Sequence, residues 1–199
     1  MRLAVGLISG RDWRPAFGLS LIALLDHATN KDSPFEEVHL CPRVNCSLPP
    51  SGRRIVVSDA YKRKCTHLLF IDDDMIFPRE TANLLAAHGK PFVAANYQNR
   101  SLPRPTVLGL DRHLLLSKDK DGLEEVGRVG FGVVWLDLAV LADVPKPWFA
   151  APYDPETERE TGEDYFFCDQ WRAAGHKIYV DHGLSNAVFH ICEARLAVV

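Results

Sequence analysis

The segment 66–78 constrains the fold of this chain more than any other. It reads THLLFIDDDMIFP, so that an apolar run over 68–71 ends in Asp72, Asp73 and Asp74. A short, continuous apolar run is typical of a strand buried on both faces of a parallel sheet. Ligands bind at the carboxyl edge of such sheets, and three carboxylates crowded there repel one another. A divalent cation would offset that repulsion, whereas the alternative interpretation is a solvated acidic turn.

The spacing of the aspartates favours a metal site. Side chains alternate along an extended segment, so Asp72 and Asp74 are predicted to point to the same side and Asp73 to the other. Two carboxylates on one side can hold Mg²⁺ or Mn²⁺ and leave positions open for phosphate oxygens. Such a site suits a diphosphate leaving group, whose developing charge a metal stabilises as a Lewis acid.

The rest of the sequence alternates between strand and helix patterns, which predicts a mostly parallel α/β sheet with helices on both faces. Strands are predicted at 3–8, 38–40, 68–71, 92–95, 177–180 and 183–192, and within 128–136 after Gly130-Phe131-Gly132. Helices are predicted at 16–28, 53–64, 79–88, 137–143 and 163–174, with loops at 45–52 and 145–162. Residues 101–128 are predicted to form a two-stranded excursion with a turn at Asp121-Gly122.

Composition limits the classes of protein to consider. The 199 residues are 47% hydrophobic and 25% charged, which is typical of one globular domain spanning 1–199. A net charge of −3 argues against a broad nucleic-acid-binding surface. Five scattered cysteines without a CxxC pair indicate neither a zinc ribbon nor a disulfide framework, which fits a reducing cytoplasm. No apolar stretch reaches the roughly 20 residues of a transmembrane helix.

A second acidic pair, Glu163-Asp164, begins the predicted helix 163–174 after a loop rich in Pro, Glu and Thr. Carboxylates in a first helical turn are favoured by the helix dipole, and that alone would explain them. Their position after a long loop also allows one of them to act as a general base for an incoming hydroxyl.

Three further features have both structural and functional interpretations. Gly130 and Gly132 flank Phe131 before a strand, where glycine permits either close packing or the approach of backbone to a sugar or phosphate. His190 lies in an apolar segment, as a core histidine would, yet imidazole is also an acceptable third ligand for Mn²⁺. His182 is the competing candidate for that ligand.

The order of these motifs along the chain resembles that of the small GT-A-fold glycosyltransferases, close to family two and its bacterial and phage relatives. The segments that carry the resemblance are 68–78, 93–97 with Arg100, 130–132, 162–167, 177–181 and 188–190.

The resemblance implies a Rossmann-like nucleotide-sugar fold and assigns roles to particular residues. Asp72 and Asp74 become the DxD metal site, and His190 becomes the C-terminal metal ligand. Glu163 and Asp164 become the acidic pair that supplies the catalytic base, with Asp164 the usual choice. Arg53 occupies the region where family members carry an Arg-Asn pair.

The sequence therefore predicts a metal-dependent glycosyltransferase that takes a UDP- or GDP-sugar, with inversion implied by the family resemblance. The nucleotide is expected to contact the segment after the first strand and the acidic and glycine motifs: Ser9, Gly10, Arg11, Arg53, Asp72, Asp73, Gly130 and Gly132. The acceptor is left open among a glycan, a lipid-linked sugar, a protein and a modified DNA base, and the oligomeric state is also left open.

Two other classes of function remain at this stage. A nucleotidyltransferase acting on a sugar phosphate also needs paired aspartates and Mg²⁺, but usually carries a Gly-rich basic loop after strand one, where this chain has only Gly10-Arg11. The other class is a non-catalytic nucleotide-sugar-binding module, for which a second acidic pair would have no purpose.

Overall fold

The computed structural model describes residues 1–10, 12–100, 104–156 and 158–192. The strands are β1 (Arg2–Ile8), β2 (Glu37–Arg43), β3 (His67–Asp72), β4 (Met75–Ile76), β5 (Phe92–Ala95), β6 (Leu123–Val126), β7 (Val133–Asp137), β8 (Tyr153–Asp154), β9 (Arg159–Glu160), β10 (Ile178–Asp181) and β11 (Phe189–His190). The helices are α1 (Pro15–Ala28), α2 (Pro49–Lys62), α3 (Thr81–Ala87), α4 (Leu138–Leu141), α5 (Glu163–Ala173) and α6 (His182–Ser185).

A seven-stranded sheet in the order β2-β1-β3-β7-β5-β10-β6 forms the centre of the fold. Pairs β1–β2, β1–β3 and β5–β10 are parallel, whereas β7 pairs antiparallel with both β3 and β5, and β6 pairs antiparallel with β10. Strands β2, β1, β3, β5 and β10 therefore run in one direction, and β7 and β6 run in the other.

Helices cover both faces of this sheet because its central strands are apolar on both sides. In β3, Leu68 and Phe70 pack in one core cluster and Leu69 and Ile71 in the other, as the alternation of side chains requires. The first cluster includes residues of α2 and α5, and the second includes residues of α1 and α3. The predicted α/β architecture, a mostly parallel sheet between two helical layers, is confirmed.

The carboxyl ends of the parallel strands meet at one edge of the sheet. Strand β1 ends at Ile8 opposite Asp72, the last residue of β3. A small antiparallel pair, β4 with β11, lies just beyond, and sets His190 opposite Met75. This edge therefore gathers residues from three separate parts of the sequence.

Three predictions of secondary structure were wrong, those for residues 45–52, 183–192 and 101–128. Residues 45–52 were predicted as a loop, but α2 already begins at Pro49, because proline is well tolerated in the first helical turn, where its missing N–H is not needed. Residues 183–192 were predicted as a strand, but Asp181 caps α6 by accepting the Leu184 N–H at 2.9 Å. Only Phe189–His190 is extended there.

Residues 101–128 were predicted to form a two-stranded excursion, and the described part of that segment, 104–128, is arranged differently. Strand β6 does not form a hairpin within the excursion but joins the edge of the main sheet beside β10. A small hairpin lies earlier, where Leu108 bridges Leu114. Within the parts of the chain that the structure describes, no helix is both long and apolar enough to cross a bilayer.

Candidate active site

A cavity of about 690 Å³ opens at the carboxyl edge of the sheet. It lies where β1 and β3 end, which is where ligands bind in open α/β sheets. Polar and charged side chains from distant parts of the sequence line it, including Asp12, Arg14, Arg53, Asp72, Asp73, Asp74, Arg100, Glu163 and Asp164. The two acidic motifs predicted from the sequence therefore share one cavity, although 90 residues separate Asp74 from Asp164.

Arg53 connects the two acidic motifs. Its side chain is buried, with Nη2 donating to Asp72 Oδ1 and Nε donating to Glu163 Oε1, each at 3.3 Å. The guanidinium lies 5.0 Å from the centre of the Phe131 ring, which adds a cation–π contact. The remaining nitrogen, Nη1, is buried without a hydrogen-bond partner among the described residues.

The pKa of the Asp72 carboxyl is raised above its usual value. Burial, opposed by Arg53 and reinforced by the neighbouring carboxylates, raises its pKa from 3.8 to about 6. A charge in this position is costly because desolvation disfavours the ionised form more than the single arginine favours it. Asp72 is therefore a carboxylate whose charge needs a further cation to be well stabilised.

Asp74 and His190 are in direct contact. Asp74 Oδ2 lies 3.0 Å from His190 Nε2 and 2.9 Å from Arg100 Nη1. Burial would raise the pKa of Asp74, but hydrogen bonding and charge from His190, with Arg100, outweigh it and lower that pKa. Burial would likewise lower the pKa of His190, but the contact with Asp74 outweighs it and raises that pKa.

His190 is oriented by its other ring nitrogen. Its Nδ1 lies 3.0 Å from the carbonyl oxygen of Gln98, a contact that lets Nδ1–H donate and directs Nε2 at Asp74. Metal-binding histidines are commonly held in this way by a backbone carbonyl. The pairing of β4 with β11, continued by the Ile191 N–H donating to the Asp74 carbonyl at 2.7 Å, fixes the two residues side by side.

These residues fit a divalent cation in part. Asp74 and His190 have the right chemistry and lie together, but Asp72 is turned towards Arg53. Across the described ranges, no group of three or more His, Cys, Asp and Glu side chains is arranged to hold a metal. The predicted alternation of the aspartates also does not extend to Asp73, because β3 ends at Asp72 and the next two residues form a turn. All three aspartates line the cavity.

Glu163 and Asp164 begin α5 and lie in different environments. Glu163 forms the ion pair with Arg53, whereas Asp164 accepts the backbone N–H of Tyr165 at 2.7 Å. Burial, with the charge of Glu163, raises the pKa of Asp164 above its usual value. A carboxylate with a raised pKa is a better proton acceptor, which suits Asp164 to the role of a base.

The predicted nucleotide-binding glycines lie in two different settings. Gly10 follows β1 and lines the cavity, while Ser9 is buried and its backbone is bonded to Arg43 and Cys46. Arg11 lies outside the described residues.

Gly130 and Gly132 do not line the cavity. They pack instead against Tyr97, since a Cβ on either would lie 2.6 Å from a Tyr97 side-chain atom. The close approach that glycine permits here is that of the Tyr97 ring.

His182 lies away from the three aspartates. It is 2% exposed, with Nδ1 2.9 Å from Ser117 Oγ and Nε2 3.0 Å from Glu124 Oε2. This is the arrangement of a core histidine whose two ring nitrogens both have partners. Of the two histidines considered from the sequence, the structure brings His190 to the aspartates.

Tyr97 and Arg100 belong to the segments that carry the family resemblance, but the sequence assigned neither of them a role in the site. Tyr97 is half-buried and lines the cavity, and its hydroxyl accepts the Gly132 N–H at 2.9 Å. Desolvation and the nearby charges of Asp72 and Asp164 raise its pKa. Arg100 pairs with Asp74 from the segment after β5. Their position after a parallel strand was the available signal, because that segment must reach the same sheet edge.

Comparison with solved structures gives many matches to this fold. A197 from STIV superposes with a TM-score of 0.61 at 16% identity, covering 100% of this chain and 98% of its own. S. aureus TarS 1–349 in complex with UDP-GlcNAc superposes with a TM-score of 0.52 at 16% identity, covering 99% of this chain. The same TarS segment in complex with UDP gives a TM-score of 0.51 at 16% identity and covers 98% of this chain.

At this identity the likeness shows the fold, which is GT-A-like as the sequence predicted. This chain spans 60% of the TarS chain that holds UDP-GlcNAc. Neither the protein-family models nor the curated proteins contain a match to this sequence.

Proposed function

We propose that this protein is a glycosyltransferase that moves a sugar from a nucleotide-diphosphate sugar to an acceptor hydroxyl. One observation carries the proposal: both acidic motifs line a single cavity at the carboxyl edge of a GT-A-like sheet, and His190 contacts Asp74 at 3.0 Å. A leaving diphosphate needs positive charge, and an attacking hydroxyl needs a base. The cavity offers groups suited to each.

We propose Asp164 as the base that activates the acceptor hydroxyl. Its raised pKa suits it to take the proton from the acceptor hydroxyl as that oxygen attacks the anomeric carbon. Glu163 is less free for this role because Arg53 already holds it. Attack from the face opposite the departing diphosphate would invert the anomeric centre, and we propose that stereochemical course.

The donor side involves Arg53 and the aspartates. Gly10, Arg53 and Asp73 line the cavity where the nucleotide diphosphate would lie. A divalent cation, Mn²⁺ or Mg²⁺, held by Asp74 and His190 with Asp72 nearby, would supply the charge that stabilises the departing diphosphate. Arg100, 2.9 Å from Asp74, is a protein cation on the same side of the cavity.

The structural neighbours support the donor class. TarS superposes on nearly the whole of this chain and is described in complex with UDP-GlcNAc and with UDP. We propose a UDP-sugar as the first donor to test, with GDP-sugars as the second.

Titration calorimetry with UDP and GDP, in Mn²⁺ and in chelator, tests the donor and metal together. We expect tighter binding with Mn²⁺, and a stabilisation of the fold of about 2.7 kcal/mol at a hundredfold excess of ligand over Kd. Equal affinity in Mn²⁺ and in chelator would contradict the metal role.

A product assay then distinguishes the classes of function. Incubation with nucleotide sugars should release nucleoside diphosphate, because water can replace the acceptor. Release of pyrophosphate from a nucleoside triphosphate and a sugar phosphate would identify a nucleotidyltransferase instead. Tight binding with no turnover over a panel of acceptors would identify a binding module.

A further inference from the structure

The Gly130-Phe131-Gly132 segment fixes the position of one hydroxyl group at the edge of the sheet. The Gly132 N–H donates to the Tyr97 hydroxyl at 2.9 Å, and the Gly132 carbonyl accepts the Asp72 N–H at 3.0 Å. A single residue therefore holds Tyr97 beside the first carboxylate of the DDD motif. None of the roles proposed above for other side chains uses this hydroxyl.

The packing of Tyr97 against this segment leaves no room for side chains on the two glycines. A Cβ on Gly130 would lie 2.6 Å from the Tyr97 hydroxyl oxygen, and a Cβ on Gly132 would lie 2.6 Å from Tyr97 Cζ. Both distances are far shorter than a van der Waals contact. The Tyr97 ring also meets the His190 ring edge to face, with 5.4 Å between the ring centroids. The two glycines and the imidazole therefore hold the Tyr97 ring in place.

The hydroxyl of Tyr97 has a proton that it can donate. It accepts the Gly132 N–H, but no group among the described residues accepts a hydrogen bond from it. A phenol is protonated near neutral pH because its ordinary pKa is about 10, and burial raises the pKa of Tyr97 further. A donor that is removed from water without an acceptor is costly. A ligand with an oxygen atom at this point of the cavity would supply the acceptor.

The position of Tyr97 along the sheet indicates which part of a ligand it would meet. The carboxyl edge runs from the end of β1, past the end of β3 and the start of β7, to the end of β5. Gly10 follows β1, Asp72 ends β3, and Tyr97 follows β5. Adjacent strands lie about 4.8 Å apart, so β5 is about 10 Å from β3 along this edge. Tyr97 therefore follows β5 on the far side of β3 from the segment where the nucleotide would lie.

The hydroxyl of Tyr97 also lies between the two acidic motifs. The charges of Asp72 and Asp164 both raise the pKa of Tyr97, so its hydroxyl is near both carboxylates. In the proposed reaction the anomeric carbon lies between the departing diphosphate, on the side of the DDD motif, and the base Asp164. A group between those two sides faces the sugar that is transferred.

We propose that Tyr97 is a sugar-binding residue, whose hydroxyl donates a hydrogen bond to an oxygen of the sugar that the nucleotide carries. A hydroxyl of the sugar, or the carbonyl of an N-acetyl group on it, is an acceptor of the required kind. This inference rests on the proposed function, because it assumes a nucleotide sugar in this cavity. It adds that Gly130 and Gly132 serve recognition of the sugar, through Tyr97, and not of the nucleotide.

Calorimetry with and without the sugar on the nucleotide tests this inference. The probes are UDP, UDP-glucose, UDP-galactose and UDP-N-acetylglucosamine, each in Mn²⁺. We take the UDP-sugar that the wild type binds most tightly. Tyr97→Phe should weaken its binding about three- to tenfold, as expected for the loss of one neutral hydrogen bond. The affinity for UDP should stay unchanged, because UDP has no sugar for Tyr97 to contact.

A second variant separates the hydrogen bond to the sugar from the stability of the site. Tyr97→Phe leaves the Gly132 N–H without its acceptor and should also lower the melting temperature. Gly130→Ala keeps both of these groups, but its Cβ would displace the Tyr97 hydroxyl. It should weaken binding of the same UDP-sugar and leave the affinity for UDP unchanged.

Tyr61→Phe and Gly18→Ala are the matched controls. The Tyr61 hydroxyl donates to the Leu138 carbonyl at 2.7 Å, and a Cβ on Gly18 would meet no atom within 4 Å. Neither residue lines the cavity. Both variants should bind UDP and the UDP-sugar as the wild type does.

The outcomes separate this inference from the proposed function. A wild-type protein that binds none of the four probes would contradict the proposed UDP-sugar donor and the inference with it. If the wild type binds a UDP-sugar, and Tyr97→Phe and Gly130→Ala bind it equally well, Tyr97 only packs and the inference is wrong while the proposed function stands. An equal loss of affinity for UDP and for the UDP-sugar in both variants would also overturn it, because Tyr97 would then support the nucleotide site.

Discussion

Arg53 Nη2 lies 3.3 Å from Asp72 Oδ1, so a cation of the protein itself already faces the first carboxylate of the DDD motif. The arginine only partly offsets the charge of Asp72, whose pKa rises to about 6 chiefly through burial. This relationship sets the electrostatics of the whole cavity, because the same guanidinium also holds Glu163. The first two predictions concern this pair.

Arg53→Leu should destabilise the fold by about 3 kcal/mol, because it leaves two partly buried carboxylates without their common partner. Arg54→Leu is the matched control: Arg54 is exposed and donates to Phe149 O and Ser51 Oγ at the surface, so its loss should cost about 1 kcal/mol or less. Urea unfolding of both variants measures the difference. Equal losses would mean that Arg53 does not hold the acidic motifs together.

The raised pKa of Asp72 predicts how its contribution to stability depends on pH. A carboxyl whose pKa is raised on folding favours the folded state when protonated, and that contribution disappears as pH rises through about 6. The stability of the wild type relative to Asp72→Asn should therefore fall with rising pH. The total fall is about 3 kcal/mol, of which about half lies between pH 5 and 7.5.

Urea unfolding of both proteins in chelator, at several pH values, gives this difference directly. A difference that stays constant with pH would show that the pKa of Asp72 is unchanged by folding. A difference that grows with pH would show that Arg53 outweighs burial.

Asp74→Asn should remove most of the enhancement of UDP binding by Mn²⁺, since Asp74 is the carboxylate that His190 and Arg100 surround. Asp73→Asn is the comparison, because Asp73 lines the same cavity but is not part of this contact group. We expect Asp73→Asn to retain the enhancement. Calorimetry of UDP binding with and without Mn²⁺ measures this enhancement in both variants. An equal loss of the enhancement in both would assign the metal to the motif as a whole rather than to Asp74.

Local patterns predicted much of the fold and part of the site. The apolar run before Asp72 predicted a buried strand, and the prediction of a strand at 92–95 matches β5 residue for residue. Both signals are strong because a strand buried on two faces must be apolar throughout. The acidic start of α5 was likewise visible, since its carboxylates suit a helix N-terminus.

The contacts between distant segments could not be predicted from local patterns. That Arg53 would join Asp72 to Glu163 depends on the packing of α2 against the sheet, which no sequence spacing encodes. The antiparallel pairing of β11 with β4, which sets His190 beside Asp74, involves only two residues in each strand. Segments so short carry no periodicity, and 183–192 was predicted as one strand for that reason.

Asp164→Asn should slow sugar transfer by about 10²- to 10⁴-fold and leave UDP affinity nearly unchanged. In the proposed reaction Asp164 takes the proton of the acceptor, whereas the donor would be bound by Arg53, Asp74 and His190. Burial and the charge of Glu163 raise the pKa of Asp164, so the wild-type rate should increase with pH as this group loses its proton. That limb of the pH profile should disappear in the variant.

Asp169→Asn on the same helix is the control for this prediction. Asp169 pairs with Arg128 and does not line the cavity, so its loss should change stability slightly and leave the rate per folded molecule normal. If Asp164 served only the first turn of α5, Asp164→Asn would lower the free energy of unfolding by about 0.5–2 kcal/mol and keep a normal rate. Turnover, UDP affinity and melting temperature, measured on both variants, separate a base from a structural carboxylate.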